Sequence, residues 1–198
     1  VETYTARTFS SERYTIWTMQ SAYHTLPTVN GQMQIPGRIY SAEGIEYKYE
    51  IAAKDVSYQA DDAKAEFKLD IANGYAPEAK IKSWKRTVTL NRGEDVTIAD
   101  AYELESMTGV TSMNVLTACE VEKAEPGDLA LKEAQLSDDR VSGTATLVYD
   151  ADAFDVAIEP VVIEDARLKQ IWGGKLARIV FAVKEPKQKG EWMIKITR

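Results

Sequence analysis

The sequence predicts an all-β protein: an antiparallel two-layer β-sandwich whose helical content is limited to short turns. Three observations carry that expectation. Apolar and polar residues alternate with a period of two through most of the 198 residues. The alternating runs are short, rich in β-branched and aromatic residues, and separated by clusters of Gly, Pro, Asn and Asp. No segment sustains the period of an amphipathic helix.

Taken in order, "RYTIWTMQSAY" reads as a first strand, with Tyr14 and Ile16 on one face and Arg13, Thr15 and Trp17 on the other. "GIEYKYEIAAK" sets Ile45, Tyr47, Tyr49 and Ile51 against Glu46, Lys48 and Glu50. "KAEFKLDIA" alternates Phe67, Leu69 and Ile71 with Glu66, Lys68 and Asp70. "RTVTLNRGEDVTIADAYEL" holds two strands around a turn at Asn91–Asp95. Later strands are "TSMNVLTACEVE", "DLALKEA", "VSGTATLVYD", "FDVAIEPVVI", "LARIVFAVK" and "EWMIKIT", with "KEPKQKGEW" as a hairpin loop between the last two. Helical turns are expected at "YAPEAK", where Pro77 suits a first helical position and Glu78 an N-terminus, and at "EDARLKQIW". No repeat or linker interrupts the pattern, so one sandwich domain over residues 1–198 is expected.

Hydrophobic content of 44% and charged content of 28% are ordinary for a soluble protein. The net charge of −7 argues against nucleic acid and anionic membranes as partners, because an acidic surface repels polyanions. No apolar run approaches the ~20 residues of a membrane helix. The one cysteine, Cys119, excludes an internal disulfide and reads as a small core residue in mid-strand. The start at Val1, inside a strand-like pattern, leads to the expectation that a signal peptide or a domain precedes it.

No G-x-S-x-G, P-loop or paired CxxC is present. His24 is the sole histidine and cannot by itself make a His₂ or His₃ zinc site; a hydrogen-bonded structural role is the competing reading. Acidic pairs such as Asp61-Asp62, Glu94-Asp95, Asp138-Asp139 and Glu164-Asp165 fall in turns. A glycosidase would need two carboxylates facing each other at ~5–10 Å, which turn acids do not imply. Trp17, Trp84, Trp172 and Trp192 are candidates for stacking on sugar rings or for packing a core. Trp84 stands beside Lys85 and Arg86 in "SWKRT", and a guanidinium fork suits a uronate carboxylate. An ion pair with a nearby acid is the alternative for Arg86.

Several stretches together resemble the C-terminal β domain of heparinase II/III-like proteins, polysaccharide lyases of the heparinase and alginate lyase type. They are "RYTIW" at Arg13–Trp17, "QSAYH" at Gln20–His24 and "TVNGQMQIPG" at Thr28–Gly37. "LDIANGYAPEAKIKSWKRTVTLNRG" at Leu69–Gly93 and "IEPVVIEDARLKQIWGGKLARI" at Ile158–Ile179 extend the likeness over most of the chain. The resemblance implies a β-sandwich that pairs with an N-terminal α-helical toroid absent from this chain, with an acidic polysaccharide in the cleft between them. It implies β-elimination next to a uronate carboxylate, mostly by groups on the helical domain, so this chain alone is expected to be inactive. It implies a bacterial, periplasmic or secreted parent. Asn30 and Gln34, in the polar stretch after His24, with Trp84 and Arg86, are the expected substrate-binding residues. His24 matches a zinc ligand of some members, so the resemblance allows zinc as a cofactor of the full-length parent, with a structural role for His24 as the alternative. The chain has Thr25 where the family has Asn, and the other ligands fall before Val1, so the isolated domain is expected to fold without metal. The rival reading is a stand-alone carbohydrate-binding or structural sandwich.

Overall fold

The computed structural model describes residues 6–36, 39–41, 44–46 and 53–198. The strand expected across Tyr47–Ile51 lies outside these residues. Strands are numbered along the chain. One sheet has eight strands in the order β4 (Lys54–Ala60), β5 (Lys64–Asp70), β6 (Ile81–Asn91), β7 (Asp95–Leu104), β16 (Lys189–Thr197), β13 (Ala145–Val148), β10 (Asp128–Lys132) and β9 (Glu120–Lys123). A second has four, β1 (Pro27–Thr28), β8 (Ser112–Thr117), β15 (Lys175–Val183) and β14 (Phe154–Val162). Two ribbons, β2 (Ile39–Ser41) with β3 (Gly44–Glu46) and β11 (Gln135–Ser137) with β12 (Arg140–Val141), complete the set. Every described pairing is antiparallel.

The two large sheets meet across one apolar core, because the period-two pattern puts every second side chain of each strand on the facing side. Ile98, Leu129, Leu131, Leu147 and Ile194 come from the eight-stranded sheet; Met113, Val115, Phe154, Ile179 and Phe181 come from the other. At one end the core turns aromatic. Trp84 stacks on Tyr102 at 4.9 Å between ring centroids, and Trp192 meets Trp84 edge-on at 5.3 Å. The packing leaves no room for a side chain at Gly190, whose Cβ would lie 2.6 Å from the Tyr102 hydroxyl.

The outer face of the four-stranded sheet carries an apolar strip, Leu116, Leu176 and Val161, beside the Arg178–Glu159 pair. Registers Leu116↔Arg178↔Glu159 and Leu176↔Val161 place these residues in two neighbouring rows, opposite in phase to Val115 and Ile179. Such a face needs a cover, and two pieces of chain supply it. One is helix α1 (Ala166–Trp172), started by Asp165, whose Oδ1 accepts from the backbone N–H of Arg167 and Leu168. The other is the N-terminal segment. Leu168 with Leu176 and Ile163 forms a small buried cluster there, against which Trp17, Leu116 and Trp172 pack.

Four expectations are corrected. Residues 11–23 are not a strand but successive 3-10 turns, Ser11–Thr15, Trp17–Met19 and Ser21–Tyr23, preceded by Ala6–Phe9. Local side chains win the backbone there: Thr15 Oγ1 donates to Glu12 O, Gln20 Nε2 to Tyr14 O, and Ser10 Oγ accepts from Glu12 N. "TSMNVLTACEVE" is two strands in different sheets, bent where Thr117 Oγ1 accepts the Cys119 N–H, so Cys119 stands half-buried at a corner. "KEPKQKGEW" crosses from β15 in one sheet to β16 in the other and is not a hairpin. Helix therefore extends beyond the two segments expected, although those two are present as Pro77–Ala79 and α1.

Candidate functional site

The segment His24–Gln34 crosses the edge of the sandwich, and each carbonyl from His24 to Pro27 is held. The His24 carbonyl accepts from Leu26 N at 2.8 Å. Arg86 Nη1 donates to Thr25 O at 2.6 Å. Leu26 O accepts from both Asn114 N and Asn114 Nδ2, and the Tyr75 hydroxyl donates to Pro27 O at 2.6 Å. Burial pushes the Tyr75 hydroxyl above its ordinary range, so it stays a donor at any physiological pH.

Arg86 is the centre of this anchorage, not a free cation. It is 5% exposed, and its Nε and Nη2 form two parallel hydrogen bonds of 2.8 and 2.7 Å to the carboxylate of Asp100, itself 2% exposed. Trp192 Nε1 donates to the same carboxylate, and Met113 Sδ touches Arg86 Nη2 from the opposite sheet. Trp84 shares the Arg86 face, as its spacing predicts, but that face is the inner one and Trp84 is wholly buried. Neither side chain reaches the surface to meet a sugar.

Asn30 is also structural. With Gly31 it makes the tight turn between Val29 and Gln32, both residues in the left-handed region at φ 51° and 76°. Its Nδ2 donates to Ala79 O and Ser106 O while its Oδ1 accepts from Thr108 N and Gly109 N. A side chain at Gly109 would meet the Asn30 carbonyl at 2.8 Å. Gln34 is half-buried, and its backbone N–H donates to the Ser21 hydroxyl.

His24 is exposed and sits at the lip of two cavities. Its Nε2 lies 3.0 Å from Thr18 O. A carbonyl only accepts, so Nε2 carries the hydrogen and Nδ1 of the neutral ring keeps its lone pair. One cavity, of about 310 Å³, brings His24 together with Gln34, Tyr14, Gln20 and Met33. The other, of about 170 Å³, lies between the N-terminal turns, α1 and the outer face of the four-stranded sheet, lined by Trp17, Thr18, Tyr23, Trp172 and apolar side chains. Tyr23 is 5.3 Å from Trp17 and carries the Arg178 guanidinium over its ring at 4.9 Å, while Arg178 pairs with Glu159.

Among the described residues no three His, Cys, Asp or Glu side chains come close enough to hold a metal ion. The donor set around His24 therefore does not fit a closed zinc site, which takes about four ligands. Among the described residues no helix is long and apolar enough to cross a membrane.

Sequence reasoning missed Asp100, Tyr75, Asn114 and Tyr23. Asp100 carried a signal: a hairpin turn at Asn91–Asp95 sets Arg86 opposite Asp100, and both fall in the apolar phase of their strands. Tyr14, Trp17, Gln20 and Tyr23 recur every third residue, the period of a 3-10 turn, which the alternation masked.

No protein-family model matches the chain, and no curated protein matches it. Solved structures do. The chain is similar to heparan sulfate lyase HepC from Pedobacter heparinus, with a TM-score of 0.64 at 11% identity, over 100% of this chain and 27% of that one. A mutant of the same lyase gives 0.61 at 11% identity with the same coverage. A heparinase III gene product with methylated lysines gives 0.60 at 13% identity, over 91% of this chain and 24% of that one. The likeness is one of fold, and the chain spans about a quarter of the length of these lyases.

Proposed function

We propose that this chain is the β-sandwich part of a heparinase-like polysaccharide lyase, supporting β-elimination on an acidic, uronate-containing polysaccharide. The observation that carries the reading is the fold match of the whole chain to one portion of a heparan sulfate lyase. In this reading the reaction needs a base at C5 and neutralisation of the neighbouring carboxylate, and most of these groups stand on a helical domain outside the chain. The chain's own contribution is rigidity at one edge: His24 is presented on a segment fastened by Arg86, Asn114 and Tyr75. The parent works outside the cytoplasm, in the periplasm or medium where such polymers are met. Zinc in the full-length protein would need ligands beside His24 from outside the described residues.

The test is ultraviolet absorbance of unsaturated uronates. The protein that carries this chain, given heparan sulfate and alginate, should produce them from at least one, and the 198-residue chain alone from neither. In the active protein, His24→Ala should lower turnover with melting nearly unchanged, because the ring makes one exposed hydrogen bond. Turnover by the isolated chain would overturn the division of labour; no product from any uronate polymer would overturn the lyase reading.

A further inference from the structure

We propose that two copies of this chain pair through β4, joining their eight-stranded sheets edge to edge. The pairing is independent of the lyase reading, because it depends on the sheet edges alone. An edge strand offers unpaired N–H and C=O groups to any other strand, and folded proteins blunt such edges. Three of the four edges of the two large sheets are blunted. β1 is two residues long. β9 reads "EVEK", with charge at Glu120, Glu122 and Lys123. β14 carries Pro160 in its interior, and Lys123 Nζ donates to its Val156 carbonyl at 2.9 Å. β4 is the exception. Its stretch Val56–Ala60, "VSYQA", holds no charge and no proline, and all of it is exposed, Tyr58 at 82% and Val56 at 54%.

The hairpin fixes which groups face the open edge. Asp61 N donates to Lys64 O at 2.8 Å, so Asp61 and, by alternation, Gln59 and Ser57 direct their backbone groups to β5. Tyr58 and Ala60 direct theirs outward. An antiparallel copy centred on Tyr58 answers them: Tyr58 faces its own copy and exchanges both backbone hydrogen bonds with it, and Ala60 faces Val56. Side chains match on both faces. Tyr58 lies opposite Phe67, and Phe67 opposite Val88, on the inner face of the sheet. Both rings are exposed there, since the core between the sheets takes no residue from β4 or β5. Pairing brings Phe67 and Tyr58 of one chain into a row with Tyr58 and Phe67 of the other, and cross-strand aromatic neighbours stabilise a sheet. On the outer face Ser57 meets Gln59, polar against polar. No like charges meet within the stretch. A bulge between Lys54 and Ser57, with Asp55 at φ 51°, bends the strand before it, and Asp61 after it is engaged in its own turn, where Oδ1 accepts from Ala63 N and Lys64 N. The uncharged stretch is therefore its own antiparallel complement, which makes a second copy the occupant. The two-fold arrangement closes at a dimer, because each chain has one such edge.

Sedimentation equilibrium of this chain, from micromolar to submillimolar concentration, is the test. The chain should be dimeric at the upper end and go no further. Tyr58→Lys sets two ammonium groups face to face on the two-fold axis, and Ala60→Pro removes an outward N–H that β5 does not use. Each should leave the chain monomeric throughout, and Tyr58→Lys should melt like the wild type at low concentration, because the ring is exposed. Val162→Lys, at an exposed position of β14, should leave the dimer intact. A wild type that stays monomeric throughout would overturn the pairing. So would species larger than a dimer, a dimer that survives both β4 substitutions, or one that Val162→Lys dissociates as strongly. Lyase turnover, present or absent, enters none of these outcomes, so the two readings fail separately.

Discussion

Trp84 and Trp172 are alike in one respect: each has a buried indole N–H without a partner among the described residues. They differ in what surrounds it. Trp84 is closed in by Tyr102 and Trp192, in a core where strands far apart in sequence press together. Trp172 ends a seven-residue helix laid on a sheet face beside open space. An unmet donor therefore does not by itself mark a site. The same contrast separates the cations. Arg86 is consumed by the fold, whereas Arg178 is tied at the surface to one exposed acid and one tyrosine ring.

The sharpest way to break this contrast is to remove Arg86. Arg86→Ala strands the Asp100 carboxylate between the sheets and should cost about 3–5 kcal/mol in thermal or denaturant unfolding. An Arg86 exposed to meet a uronate would leave melting nearly unchanged. Arg86→Met with Asp100→Leu should recover much of the loss, since a buried pair exchanged for apolar side chains is often near neutral. If Arg86→Ala melts like the wild type, the anchorage of the His24 segment is not what holds that edge.

Trp84→Ala should cost about 3–5 kcal/mol, as large aromatic deletions in packed cores do. Trp172→Ala should cost clearly less, because part of its surface already borders a void. Equal losses in urea titrations would erase the distinction between the two regions. Asn30→Ala lies next, at about 1–3 kcal/mol, from two amides and two carbonyls left unpaired around the turn.

The smallest effect belongs to surface charge far from both tryptophans. Glu66 on β5 is flanked by Lys64 and Lys68, whose ammonium groups hydrogen-bond its carboxylate and lower its pKa from 4.5 to about 2. A carboxyl with a depressed folded-state pKa contributes stability that is full above 4.5 and is lost as pH falls toward 2. Stability of the wild type should decline through that window, and Glu66→Gln should make the decline shallower. A Glu66→Gln curve parallel to the wild type between those pH values would show the lysines to be uncoupled.

The alternation along most strands, the turn at Asn91–Asp95, the helical turn in "EDARLKQIW" and the Pro77 turn were legible in the sequence, because each is decided by neighbours a few residues away, whereas β4 was not read as a strand. The antiparallel sandwich follows from them. Which face of β6 points inward is not local: Trp84, Arg86 and Val88 alternate the same way whether that face meets solvent or a second sheet. The inward choice turned a candidate sugar-binding pair into a core aromatic and a buried ion pair. Residues 11–23 show the limit from the other side, where alternation and a three-residue period coexist and the local side-chain bonds decide for turns. The cavity they help to form was beyond the sequence altogether. It exists because two covers, Trp17–Tyr23 and α1, are brought from opposite ends of the chain onto one sheet face without closing the gap between them.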